Sequence, residues 1–261
     1  MNTISTPGTI DVLGIPISLT DEEAMVNLVH SWILSDAKGW VCGINALALN
    51  LSYERPWLKD FYLRSLLNCS EGVAVSVAAL LHGRTMPKRI VWAYWIYDLI
   101  EMMERDGFSL YLLGGEASVV SNAVLNLKKR FPQLRMAGYH DGYFEEAEGG
   151  MVVRSINECR PEVLLVGMGM PKQEQWILQN LENLNVKVVL PVGALIDYLS
   201  GAKQRCPQWM VAAGLEWLYR LFKEPRRLWR RYLFGNTLFI VRVLLARVRM
   251  TVRKTSPIRA S

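Results

Sequence analysis

Between about residue 100 and residue 191 the chain alternates short apolar runs with longer amphipathic ones. That alternation constrains the fold more than any other feature of the 261 residues. The pattern predicts helix 96–105, strand 108–113 (FSLYLL), a turn at Gly114-Gly115 and helix 117–130. Strand 134–138, helix 145–159, strand 162–167 (EVLLVG), helix 171–183 and strand 186–191 (VKVVLP) follow. Strands that are apolar at nearly every position need cover on both faces, and helices of this length can carry the chain back over a sheet. The expected fold is therefore α/β: a Rossmann-like parallel sheet with helices on both faces. Upstream, TIDVLGIPIS (9–18) reads as an opening hairpin, and Thr20 as the cap of a helix over 21–35 whose first turn is acidic. WVCGI (40–44) reads as a buried strand, followed by one helix from about 46 to 67 and another over 73–81.

Charge divides the chain unevenly. Of 30 Lys and Arg and 24 Asp and Glu, residues 217–261 hold 12 basic and one acidic residue, Glu224, leaving 18 and 23 for the rest. A mildly acidic body thus precedes a strongly basic tail, a distribution suited to anionic lipid, a diphosphate or nucleic acid. The tail begins near Gly214. Pro225 cannot sit inside a helix, so one helix should end near Lys223 and a second start at Pro225. At 100° per residue Arg226, Arg227, Arg230 and Arg231 fall on one side of the second helix, and Leu228, Trp229, Tyr232 and Leu233 on the other. The segment LFIVRVLLARVRMTVRK that follows has the composition of an interfacial helix lying among lipid headgroups. The expected organisation is a catalytic α/β domain over 1–213 and an appendage over 214–261 that binds membrane and covers the site.

No signal peptide is visible in MNTISTPGTI, and the longest uncharged stretch, Gly39 to Tyr53, is 15 residues, shorter than the roughly 20 that span a bilayer. Cys42, Cys69, Cys159 and Cys206 form no CxxC pair and read as reduced thiols. His30, His82 and His140 have no metal-ligand spacing, and there is no D-x-D, so no metal and no cofactor is expected.

Three glycine loops follow predicted strands: Gly114-Gly115, then Gly167 to Glu174 with Gly169 and Gln173, then Gly193 to Asp197. Ligands of open parallel sheets bind beyond the carboxyl ends of the strands, where glycine lets backbone approach a phosphate. The coincidence of three such loops suggests a nucleotide-type ligand. Neither GxxxxGK[ST] nor GxGxxG occurs, which argues against an ATPase or a dehydrogenase. Gln173, Asp197, Asp141 and Tyr143 (in HDGYF) are polar residues at those loops; on spacing alone they serve equally well as caps and turns. Asn45 and Glu71 stand out as polar residues between apolar segments.

The stretches EVLLVGMGMPKQEQW, VGALIDYLSGAKQRCPQWM and GLEWLYRLFKEPRRLWRRYL, with LLGG and RFPQLRMAGYHDGYF, resemble the WecG/TagA/CpsF family of bacterial glycosyltransferases (glycosyltransferase family 26) over residues 10–240. The resemblance implies inverting, metal-independent transfer of a sugar (N-acetylmannosamine, its uronic acid or glucuronic acid) from a UDP-sugar to a polyprenyl-diphosphate-linked saccharide. The place implied is the cytoplasmic face of the bacterial inner membrane, at an anionic surface, and a homo-oligomer is compatible with it. By the same resemblance, Gln173 contacts the donor and Tyr143 and Asp197 hold the UDP. Glu71 takes the place of the family's aspartate base, and Arg220, Arg227 and Arg230 neutralise the leaving UDP. Asn45 matches the family's T-x-N, with Gly43 where the threonine stands. Arg89 matches an arginine before G-x-D, which here reads Trp92-Ala93-Tyr94. These three departures leave a second reading open, a nucleotide-sugar-binding homologue that partners another transferase. Nucleic-acid binding through Trp229, Tyr232 and Phe234 is disfavoured, because their spacing builds an apolar helix face rather than a stacking platform.

Overall fold

The computed structural model describes residues 7–35, 37–81 and 83–255, with side chains as far as Val248. The readings made at His82, residues 1–6 and the last residues of the basic tail lie outside the described residues. The chain opens with the expected antiparallel hairpin, β1 (Thr9–Val12) and β2 (Ile15–Ser18). Helix α1 (Glu22–Leu34) is capped by Asp21 rather than Thr20: the Asp21 carboxylate accepts the Ala24 N–H, while the Thr20 hydroxyl does not reach the helix amides. Strand β3 (Gly39–Ile44) follows.

The single helix expected over 46–67 is two helices and a strand. Helix α2 (Ala46–Glu54) ends before Arg55, which is held extended ahead of Pro56, and Pro56 starts α3 (Pro56–Leu63). A residue before proline is pushed out of helical backbone, which breaks the run. The last residues belong to β4 (Leu67–Ser70), short and buried at every position. Its polar members hide it from a hydrophobic pattern; Asn68 is satisfied inside by the carbonyls of Pro16 and Tyr62.

Helix α4 (Val73–Leu81), α5 (Trp92–Asp106), β5 (Ser109–Gly114), α6 (Ala117–Arg130), β6 (Arg135–His140), α7 (Gly149–Cys159), β7 (Val163–Gly167), α8 (Lys172–Asn180), β8 (Val188–Pro191) and α9 (Leu195–Ser200) complete the body. Sheet order is β1-β2-β4-β3-β8-β7-β5-β6, parallel except for β1. Alternate residues of each strand feed two cores. Trp40, Cys42, Ile44, Leu113 and Val166 face α2, α3, α4, α7 and α8. Val41, Cys69, Leu112, Leu165 and Leu190 face α1, α5, α6 and α9.

The sheet reverses direction of growth between β3 and β8, and there the pairing is brief. Only Gly39 and Trp40 pair with Val188 and Val189. Beyond Trp40 the two strands part, and a crevice opens above them at the carboxyl ends, where a doubly wound sheet binds ligand.

After α10 (Gln208–Ala212), α11 (Glu216–Lys223) ends and α12 (Pro225–Trp229) begins on either side of the expected break. A π-helical turn, Arg230–Phe234, then leads into α13 (Gly235–Thr255). This last helix is not purely a surface element. Phe239 and Val243, four apart and so on one face, are buried against α2 and α4, at roughly 1.5–3 kcal/mol for a fully buried side chain of this size. The Asn50 amide donates to the Gly235 carbonyl at 2.7 Å, and Arg242 donates to Asn50 and pairs with Glu54. The other face leaves Leu238, Val241, Leu244 and Leu245 exposed, after the exposed Phe234 of the π turn. The helix therefore has two apolar faces, one on the body and one outward. The expected two-sided split fails accordingly: Leu228 and Tyr232 turn to the body, while Trp229 and Leu233 turn out.

Candidate functional site

A cavity of about 440 Å³ occupies the crevice. Its walls carry Asn45, Glu71, Gly115, Tyr143, Gly169, Gln173, Gly193 and Asp197 from the strand ends, and Arg220 and Arg227 from the tail. Ten of the thirteen residues singled out in the sequence therefore meet at one cavity. The exceptions are Gly114, Arg89 and Arg230. Gly114 sits just behind the wall, with φ 140° and a Cβ position only 2.3 Å from the Gly167 carbonyl oxygen, so β5 and β7 can lie this close only with glycine there. Arg230 is exposed and lines neither this cavity nor the one that adjoins it, and Arg231 takes its place. Arg231, four residues after Arg227, shares its side of the helix, which borders the buried Leu228 and Tyr232, whereas Arg230 lies toward the exposed Arg226.

A second cavity, of about 540 Å³, adjoins the first. It runs between α4, α5, α11 and the start of α13, lined by Val73, Val77, Trp217, Leu233, Phe239 and Ile240 among others. The two share Asn45, Glu71, Trp92, Arg220 and Arg231. A polar chamber at the glycine loops thus meets an apolar chamber at the tail, with one carboxylate and two guanidinium groups at the junction.

Glu71 follows β4, held by its backbone N–H to the Ile44 carbonyl at 3.0 Å. Asn45 caps α2, its Oδ1 accepting the Leu47 and Ala48 N–H groups, which leaves Nδ2 to donate to Glu71 Oε2 at 3.1 Å. The cap thereby aims the carboxylate. Burial raises the Glu71 carboxyl above its ordinary value, with the Asn45 hydrogen bond and the charge of Arg220 pulling the other way. A carboxylate so placed is a better proton acceptor than one in water. Burial pulls the Arg231 guanidinium down, reinforced by the like charge of Arg220. Two cations kept close in the interior make a site suited to an anion.

Gly43 explains two of the departures from the family pattern together. A Cβ at position 43 would lie 2.6 Å from Trp92 Nε1 and 3.2 Å from Glu71 Oε2. Trp92, 3% exposed, fills the space a side chain at 43 would need, and its indole N–H points at Cys69 Sγ at 3.3 Å. The glycine and the tryptophan are one packing solution beside the carboxylate.

The remaining expected residues are engaged as follows. Arg89 lines only the second cavity, bound to Glu216 and to the Val211 carbonyl; it ties the tail to the body. Asp197 pairs with Lys203 at 2.8 Å, and Lys203 pairs with Glu224 at 3.4 Å. Tyr143 is 75% exposed at the rim, on a turn closed by its N–H to Asp141 Oδ1. Gln173 is buried, with its amide oxygen on the Gly193 N–H and its amide nitrogen on Glu174. Sequence reasoning missed Trp92, Glu174, Lys203 and Arg231 as wall residues; all four stand inside or beside motifs quoted above, but nothing in their spacing separates wall from core. Among the described residues no cluster of His, Cys, Asp and Glu is grouped to hold a metal ion, and no helix is long and apolar enough to cross a membrane.

Comparison with known proteins agrees with the geometry. Residues 10–253 match the profile described as the glycosyl transferase WecG/TagA/CpsF family. An N-acetylglucosaminyldiphosphoundecaprenol N-acetyl-beta-D-mannosaminyltransferase of Bacillus subtilis (strain 168) is 30% identical over 164 residues, 62% of this chain and 62% of that protein. Proteins of the same name from Staphylococcus aureus strains MW2 and NCTC 8325 are 25% identical over 223 residues, 85% of this chain and 87% of theirs. A match along nearly the whole fold, on a chain whose strand-end loops converge at one cavity, means that this chain belongs to the WecG/TagA/CpsF family of glycosyltransferases.

Proposed function

We propose that this chain moves a sugar, of the N-acetylmannosamine type or a glucuronic acid, from a UDP-sugar to a polyprenyl-diphosphate-linked saccharide, with inversion and without a metal ion, at the cytoplasmic surface of a membrane. The observation that carries the reading is the position of Glu71 on the wall shared by the polar and the apolar cavities. The donor occupies the polar cavity, its nucleotide among Tyr143, Gly169, Gly193 and Asp197. The acceptor enters through the apolar one, whose lining suits a polyprenyl chain. An acceptor hydroxyl then stands between Glu71 and the donor C1.

The step balances simply. Glu71 takes the hydroxyl proton as the oxygen attacks C1 from the face opposite the leaving group. The new C–O bond forms as the bond from C1 to the phosphate oxygen breaks, and UDP departs with that electron pair. Arg220, Arg227 and Arg231 offset the charge it carries away, as charge-assisted donors aimed where charge develops. The relatives' names supply the sugar and acceptor class. The tail's outward apolar face and its arginines support docking on anionic lipid. The division into a catalytic body over 1–213 and a membrane-binding appendage from 214 belongs to the same reading.

Glu71→Gln should retain the fold and UDP binding and lose turnover by about 10²–10⁴-fold. The assay supplies a panel of UDP-sugars to membranes bearing the lipid-linked acceptor and identifies the product by mass spectrometry. Near-normal turnover in the folded variant would remove Glu71 from the mechanism. UDP binding by the wild type without turnover on any donor would instead favour the binding-homologue reading, for which the bulk of Trp92 beside the carboxylate is the specific argument.

A further inference from the structure

Gln173 opens α8 beneath the polar cavity and is 2% exposed. Its backbone N–H donates to the Gly169 carbonyl at 3.0 Å, and its side-chain oxygen accepts the Gly193 N–H at 2.9 Å. One residue therefore ties together the two glycine loops that leave β7 and β8. Both glycines have positive φ, and the space where a Cβ would stand is open at each, as a ligand-facing backbone requires. A carboxamide can sit either way round, and its neighbours decide which. Here Nε2 donates to Glu174 Oε1 at 2.9 Å, so the oxygen is turned to Gly193. With the amide reversed, nitrogen would face N–H and oxygen would face oxygen, and both bonds would be lost.

Glu174 is 1% exposed, and no cation pairs with it among the described residues. Its second oxygen is buried without a hydrogen-bond partner there. The titratable groups that face it are Tyr62 of α3 and Cys42 of β3, neither of which brings positive charge. A half-satisfied carboxyl in the interior is costly, and packing alone would be served better by an apolar residue.

We propose that Glu174 is a positioning residue for the donor: by fixing the orientation of the Gln173 amide it clamps the Gly193 loop to the Gly169 loop, and so shapes the cavity for a nucleoside diphosphate. The proposal rests on the donor reading of that cavity. It assigns Gln173 a structural bond to the loop rather than a direct grip on the sugar.

The test compares Glu174→Gln, which keeps an acceptor oxygen, with Glu174→Met, which is similar in size and has none. Hydrogen–deuterium exchange of residues 192–195 is followed in the full chain without ligand, UDP binding by calorimetry, and donor KM and kcat by turnover. In Glu174→Met, Gly193 exchange, UDP Kd and donor KM should each rise about tenfold, with kcat little changed, while Glu174→Gln stays near wild type. Gln173→Met, which removes the clamp itself, should raise Gly193 exchange likewise and serves if the first variant does not fold. Unchanged Gly193 exchange in a folded Glu174→Met or Gln173→Met protein would overturn the clamp, as would equal loss in the Gln and Met variants at 174. The exchange response without any UDP binding by the wild type would leave the clamp standing and overturn its link to the donor.

Discussion

Gly43→Ala is the smallest change that probes the packing around Glu71. The added methyl carbon would stand 2.6 Å from Trp92 Nε1 and 2.8 Å from Cε2, against the 3.4–4 Å of ordinary contact, so the indole must retreat by about 1 Å. Retreat is hindered on two sides. The indole N–H is held at Cys69 Sγ, and the ring lies 5.5 Å from that of Trp95, itself buried. Overpacking of this kind costs about 1–3 kcal/mol, from which some 0.4–1 kcal/mol returns because alanine restricts the unfolded chain. A net loss of roughly 1–2 kcal/mol should appear in urea unfolding with an unchanged slope. Turnover should fall as well, but by less than the ~10²-fold that a 1 Å displacement of a reacting group costs, because Glu71 Oε2, 3.2 Å from the same carbon, has to give by only a few tenths of an ångström. The decisive measurement is the double mutant with Trp92→Leu, which removes the two atoms in collision. The second substitution should cost less in the Gly43→Ala background than alone, with a coupling of about 1 kcal/mol or more. Additivity of the two losses within about 0.5 kcal/mol would refute the steric argument.

Three further outcomes can be measured. Arg231→Ala should lower turnover on a soluble short-chain acceptor, where lipid docking is irrelevant, and Arg230→Ala should not, since only the former lines the junction of the cavities; equal effects in that assay would discard the role given to Arg231. Burial pushes the Glu174 carboxyl from 4.5 up to about 7, so its contribution to stability is fully present below about 4.5 and is lost as pH rises through 7. That interval corresponds to roughly 3 kcal/mol, and wild type should lose this much relative to Glu174→Gln between pH 4.5 and pH 8, read from unfolding curves of both proteins at each pH. Leu244→Ser with Leu245→Ser, on the outward face of α13, should release the protein from anionic vesicles in flotation while turnover on a soluble acceptor persists; retained flotation would refute docking by that face.

How much of this was legible in advance differs from element to element. The strand–helix alternation after residue 100 needs only local pattern, because a strand covered on both faces is apolar throughout and a covering helix repeats at 3.6; α6 has the expected bounds, 117 to 130. The glycine loops were legible for the same reason, since a backbone that turns sharply after a strand has few residues to choose from. The helix break at Pro225 follows from the ring itself and would be there in any context. Strand β4 was not legible: four residues with two polar members acquire strand character only from partners on either side and from the carbonyls that satisfy Asn68.

The sequence by itself therefore determined the class of fold, the edge of the sheet at which the glycine loops gather and the concentration of positive charge in the tail. Each of these is a local or summed property of the chain. Tertiary structure decided which groups meet. It turned Arg231 rather than Arg230 to the junction, because the helix packs on the body through Leu228 and Tyr232 and Arg231 borders that side. It gave α13 a second apolar face to spend on the body, and it committed both ends of the Gln173 amide internally. It also set Trp92 into the space left by Gly43, a contact between residues 49 positions apart that no periodicity records. Such contacts depend on where two strands part and how closely a helix approaches them, and distances of that kind arise only when the whole sheet has formed.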